Sequence, residues 1–169
     1  MYLCKVRHIK FKQGMLKEEK SPFIIENLSN NSGFLMLQVS GLWENYHDKV
    51  IKKYYDLSYM QFSVLASSYW LILHSEKQVT QTILANHTKI SPMTISQMLK
   101  VLEAKGYIYR TVHSTDVRAK AVYLTDSGKD VVNKTMKIIY DLNARFFRVL
   151  GKDLKIFNRY MFELLNANE

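Results

Sequence analysis

The residues best suited to do chemistry form a run of small polar side chains that ends in a cation. From Ser91 the chain reads Ser91, Pro92, Met93, Thr94, Ile95, Ser96, Gln97, Met98, Leu99 and Lys100, continuing to Lys105 and Gly106. Ser91 and Pro92 predict a helix start, because a serine hydroxyl accepts a free N–H and proline's missing N–H costs nothing at the first position. Gly106 supplies a left-handed stop. At about 100° per residue, Ile95, Met98, Leu99 and Leu102 make an inner face, Met93, Gln97 and Lys100 point the opposite way, and Thr94 and Ser96 lie on the flanks. The Gln97 amide can address a base edge, and the hydroxyls of Thr94 and Ser96 can bond bases or phosphates. Met93 can meet a thymine methyl, and Lys100 suits a phosphate. The competing reading is an ordinary solvated helix face.

What surrounds this helix decides between the two. A short helix from about Thr80 to His87 and a turn through Thr88, Lys89 and Ile90 precede it, which is helix-turn-helix grammar. Behind it, Tyr107 to Val112 and Lys120 to Leu124 are rich in β-branched and aromatic residues, and the polar stretch from His113 to Val117 separates them. This predicts a β-hairpin, the wing of a winged helix. Arg118 near its tip is placed to enter a narrow minor groove, where negative potential is focused. Asp116, two residues away on the same side of a strand, would repel DNA if left alone. Its expected task is to shape the turn and to orient the guanidinium of Arg118 or Arg110. Arg110 and Lys120 complete the candidate DNA-binding set.

The net charge of +9, from 24 Lys and Arg against 15 Asp and Glu, is unevenly distributed. Residues 89–120 hold Lys89, Lys100, Lys105, Arg110, Arg118 and Lys120 against Glu103 and Asp116, an excess of four. Residues 1–20 hold a second excess of four, and the remainder is nearly neutral. A basic cluster that coincides with the helix-turn-helix and hairpin points to a polyanion partner.

The elements that position these residues are helical. Ser21 and Pro22 predict the start of a long helix whose stripe of Leu28, Leu35, Val39, Leu42, Tyr46 and Val50 reaches about Tyr54, with a kink or second start at Asn30 to Gly33. Ser58 and Gln61, in capping-box spacing, open a helix carrying Phe62, Leu65, Tyr69, Ile72 and Leu73 that reads as buried on most sides. Thr125 and Asp126 begin another, striped by Val132, Met136, Ile139, Leu142, Phe146 and Leu150. Gly151 ends it, and Asp153 begins a last helix with Ile156, Phe157, Tyr160 and Leu164 on one side. The expected fold is mainly α with a small β-hairpin wing: a basic arm over 1–20, a winged helix-turn-helix lobe over 57–125, and dimerisation helices over 21–56 and 126–167.

The wing residues Asp116-Val117-Arg118, then Val122, Leu124-Thr125 and Gly128, with Arg110 before them and the hinge residues Leu102, Gly106 and Tyr107, resemble the MarR family of bacterial transcription regulators. The likeness covers about residues 22–167 in order of elements and is specific from Ser91 to Gly128. It implies a homodimer whose first and last helices interlock, with each recognition helix in a major groove of double-stranded DNA and each wing in a minor groove. It also implies a repressor of a pseudo-palindromic operator, released by a small aromatic or phenolic effector. Trp43, Tyr46, His47, Tyr69 and Trp70 are the candidates to line the effector cleft. The alternative for these rings is that they fill the dimer core and helix crossings.

Other classes fare less well. No glycine-rich phosphate loop, nucleophile elbow or paired-carboxylate constellation marks an enzyme. The five histidines are scattered without ligand spacing, so no metal or other cofactor is expected. The longest apolar run, Tyr69 to Leu73, is five residues, too short for a bilayer, and the single Cys4 fits a reducing cytoplasm. Cys4, beside Lys5, Arg7 and His8, reads as a bystander thiol. The first 20 residues have no counterpart in the MarR pattern, and Met15 is an alternative natural start. Two rivals keep the fold but change the function: a nonspecific or architectural nucleic-acid-binding protein, and a winged-helix protein-interaction module.

Overall fold

The computed structural model describes residues 31–168. The basic arm, Cys4, Met15 and the helix start at Ser21–Pro22 lie outside the described residues. The chain divides into two units, Met1–Leu37 and Gln38–Glu169, and all elements of the DNA-binding lobe belong to the second.

The first described helix, α1, spans Ser32–Tyr55. The Phe34 N–H donates to Asn31 Oδ1 at 3.0 Å, so the interruption at Asn30 to Gly33 contains a helix start. Helix α2, Tyr59–His74, opens with both halves of the capping box in place. The Gln61 N–H donates to Ser58 Oγ, and the Ser58 N–H donates to the Gln61 side chain. Its buried set is Tyr59, Phe62, Val64, Leu65, Ser68 and Leu71. Burial stops short of the C-terminal end, where Trp70 and Leu73 are exposed, so the helix is less enclosed than its composition suggests.

Helix α3, Gln81–Thr88, is capped by the Thr80 hydroxyl and ends on Lys89 in the left-handed conformation, at φ 58°. Helix α4, Pro92–Ala104, follows after a tight turn, with Ser91 as cap and Pro92 at the first turn. Ile95, Leu99 and Leu102 of α4 are fully buried and Met98 partly so, as the stripe predicts. Gly106 adopts φ 72°, the left-handed turn that sends the chain into β1, Ile108–Val112, paired antiparallel with β2, Lys120–Leu124. Arg110 stands opposite Val122 in this register. The segment before α3 joins the edge of the hairpin. The Val122 N–H donates to Val79 O at 2.8 Å, and Thr80 forms an isolated bridge with Ala121. Phe62, Leu65, Leu84, Ile95, Leu99, Leu102 and Ile108 fill the core beneath.

Helix α5, Asp126–Phe147, is capped by Thr125, whose Oγ1 accepts the Gly128 N–H and donates to Gly106 O. Gly128 is required by contact: a Cβ there would collide with the Tyr107 carbonyl. A 3-10 stretch, Arg148–Asp153, contains Gly151 at φ 50° and leads into α6, Leu154–Ala167. No residue of α6 is buried, and Tyr160, Phe162, Leu164 and Leu165 are exposed. No helix among the described residues is long and apolar enough to cross a membrane.

Candidate nucleic-acid interface

The outer face of α4 is assembled from its cap outward. Ser91 Oγ accepts the Thr94 N–H at 3.2 Å and lies 2.7 Å from Thr94 Oγ1, so the two hydroxyls are oriented by each other. The start of α4 is also tied to α3, because Gln81 Nε2 donates to Pro92 O at 2.9 Å. Along the helix Met93, Gln97 and Lys100 are exposed while Thr94 and Ser96 are half-buried, the arrangement expected from the 100° spacing. The Gln97 amide, the Lys100 ammonium and the Met93 thioether are thus open to solvent on one face of the helix.

The strands stop at Val112 and resume at Lys120, so Asp116 and Arg118 both lie in the connecting loop and not on a strand. This corrects the expectation that Asp116 shares a strand face with Arg118. The reason is the turn itself: the Asp116 carboxylate accepts the Arg118 N–H at 3.0 Å, and the Ala119 N–H closes on Asp116 O. Of the two guanidiniums open to it, Asp116 takes that of Arg118, with Nε 3.5 Å from Oδ1. The pair is loose, and the Arg118 side chain is 92% exposed.

Arg110 is held differently. Its Nε donates to Glu103 Oε2 at 3.2 Å and its Nη2 to the same oxygen, and its side chain is only 14% exposed. Hydrogen bonding from Arg110 lowers the Glu103 carboxyl below its ordinary range, and the charges of Arg110 and Lys120 add to that. Arg110 therefore acts first as a strut from the end of α4 to β1, while Lys120 opens β2 exposed to solvent. A cleft of about 450 Å³ runs between the start of α3 and the wing, with Gln81, Arg110, Asp116, Arg118 and Lys120 on its walls.

A helix-turn-helix whose second helix is strapped to an arginine-tipped hairpin invites comparison with known proteins. The sequence profile of the transcriptional regulator SarA/Rot family matches residues 47–135. The chain belongs to the SarA/Rot family. The HTH-type transcriptional regulator YdcH of Bacillus subtilis is 31% identical over 124 residues, 73% of this chain and 83% of that protein. Among solved structures, S. aureus MepR in complex with DNA has a TM-score of 0.71 at 23% identity, covering 80% of this chain and 97% of that one. A mutant MarR of E. coli complexed with operator DNA has a TM-score of 0.70 at 21% identity, covering 82% and 96%. The fold is thus that of the MarR-like winged helix, as the wing motif implied, and the protein is a DNA-binding transcriptional regulator and not an enzyme.

In this SarA/Rot-family regulator the five aromatic candidates fall into separate places. Trp43, His47 and Tyr59 cluster with ring centroids 4.6–4.7 Å apart, and Tyr46 joins at the His47 edge. Trp43 Nε1 donates to Asn143 of α5. Trp70 instead stacks between His74 and His87, at 4.5 and 5.3 Å, and Tyr69 packs on the core. His47 is fully buried. Its Nδ1 donates to Trp43 O at 2.7 Å, and its Nε2 has no partner among the described residues.

Four contributors are absent from the sequence-derived set: Glu103, Gln78, Gln81 and Tyr123. Glu103 had a signal, an acid inside a basic cluster one turn ahead of the wing. The others bond across 11 to 45 residues, where no period or spacing marks them.

Proposed function

We propose that this regulator is a ligand-responsive repressor that binds a pseudo-palindromic operator as a homodimer. Each α4 lies in a major groove and each wing reaches an adjacent minor groove. The observation that carries the reading is the wing tip, where Arg118 stands almost wholly in solvent on a loop that Asp116 has already shaped. A pre-formed loop loses little entropy when its guanidinium enters a groove. Dimerisation is supported by α6, which buries no residue and leaves Ile156, Tyr160, Phe162, Leu164 and Leu165 substantially exposed among the described residues, the kind of apolar patch that a symmetric interface buries. The effector half of the reading is supported by His47. In the neutral imidazole with Nδ1 donating, Nε2 is an acceptor inside an aromatic cluster, matched in chemistry to a phenolic hydroxyl. A phenol would act by favouring a dimer whose recognition helices no longer match successive grooves.

Fluorescence anisotropy on a duplex carrying the site recovered from genomic DNA tests this reading. Arg118→Ala is expected to weaken binding roughly tenfold or more while leaving the thermal melt unchanged. Adding a simple phenol to the wild-type titration is expected to weaken binding as well. Unchanged affinity for Arg118→Ala would refute the wing contact, and indifference to phenols would refute the effector class.

A further inference from the structure

We infer that Gln78 is a positioning residue for DNA binding: by bonding two separate points of the wing it sets where Arg118 meets the duplex. The inference rests on the proposed minor-groove role of the wing. Gln78 lies in the link between α2 and α3, outside the hairpin. Its Oε1 accepts the Ser114 N–H at 2.8 Å, and its Nε2 donates to Tyr123 Oη at 2.6 Å. A backbone N–H can only donate, so the Ser114 contact fixes the orientation of the amide and turns its NH₂ toward the phenol.

The bond to Ser114 acts on the far end of the wing, and the bond to Tyr123 ties that support to the paired part of β2. Val122 N–H to Val79 O and the Arg110–Glu103 pair anchor the hairpin at its middle, one step from the Tyr109–Tyr123 pair and well short of Ser114. A two-stranded hairpin is marginally stable by itself, so its far end needs support. The loop beyond Val112 is closed internally: the His113 N–H donates to Ala119 O at 3.1 Å, the Ala119 N–H to Asp116 O and the Arg118 N–H to Asp116 Oδ1. Such a loop moves as one piece, and an external bond at Ser114 fixes the height of the whole piece, Arg118 included. The second bond, to Tyr123, holds the β2 side, where the Tyr123 ring stacks on Tyr109 at 5.3 Å. The amide needs no contact with DNA to affect binding. Its effect passes through the placement of a guanidinium whose reach into a groove tolerates little displacement.

The decisive experiment is a double-mutant cycle read by anisotropy on the same duplex, with each protein also titrated at several salt concentrations. Gln78→Met keeps the shape and removes both bonds. It is expected to weaken binding about fivefold in the wild-type background and less than about twofold once Arg118 is alanine, because residues acting as a unit are not additive. Its salt slope is expected to fall by about one, matching that of Arg118→Ala. Tyr123→Phe, which deletes one bond and little volume, is expected to show the same pattern at about two- to threefold, and it decides the matter should Gln78→Met fail to fold. Equal losses in both backgrounds, or no loss from either variant, would overturn the inference while leaving the DNA-binding reading intact. Absence of wild-type binding would bring down that reading first, and the inference with it.

Discussion

Single atoms decide several features of this molecule. Gly128 stands where the first turn of α5 passes the Tyr107 carbonyl, and the hydrogen of glycine is the only substituent that fits. Backbone cannot yield as a flexible side chain can, so Gly128→Ala is expected to cost about 2–3 kcal/mol, measured by urea unfolding. A cost below roughly 0.5 kcal/mol would show that α5 can shift without penalty. Gly128 is legible in the sequence as part of the wing pattern, but the collision that requires it belongs to two elements meeting and has no local trace. Capping residues contrast with it. Ser58 and Ser91 act within three residues of themselves, as does the capping bond of Thr125, and these capping roles can be read from the chain alone, whereas the second bond of Thr125, to Gly106 O, cannot. Asp116 falls between: its turn-shaping role is a short-range effect, while its exact place depends on where strand pairing ends.

At the scale of elements, the wing is held to the recognition helix by Glu103 and Arg110, seven residues apart across the Gly106 turn. Because the folded state lowers the Glu103 carboxyl, the pair's contribution is fully present above the ordinary value of 4.5 and is lost as pH falls through the lowered one. Glu103 is partly open to solvent, which screens the pair, so Glu103→Gln is expected to cost at most about 1 kcal/mol at neutral pH. Urea midpoints of wild type and variant are expected to differ at pH 7 and to converge in acid below that value. A difference that does not shrink as the pH is taken progressively further into acid would mean the carboxylate charge is not what stabilises the wing. The order and type of elements from α2 to α5 are legible because each has a period, a cap and a stop. The clamp by Gln78 is not, since a glutamine in a linker carries no period and its partners lie 36 and 45 residues away. The five aromatic candidates show the same limit. Ring content predicts a cluster, but only packing separates Trp43, Tyr46 and His47 from Trp70.

For the molecule as a whole, charge and apolar surface divide the labour. The basic excess over residues 89–120 is concentrated on the helix-turn-helix and wing, where attraction to phosphate speeds and strengthens binding, while the partly exposed apolar residues of α6 are, on the proposed reading, what pairs two such lobes. A nonspecific binder could use the same charge, and the difference lies in sequence discrimination. Selection of bound fragments from a pool of genomic DNA, followed by footprinting of the enriched site, measures that difference directly. The expected result is an enriched inverted repeat whose protected half-sites are centred about one helical turn, or a multiple of it, apart. A folded protein that enriches no sequence, or that protects DNA without symmetry, would contradict the account of a homodimeric, operator-reading regulator.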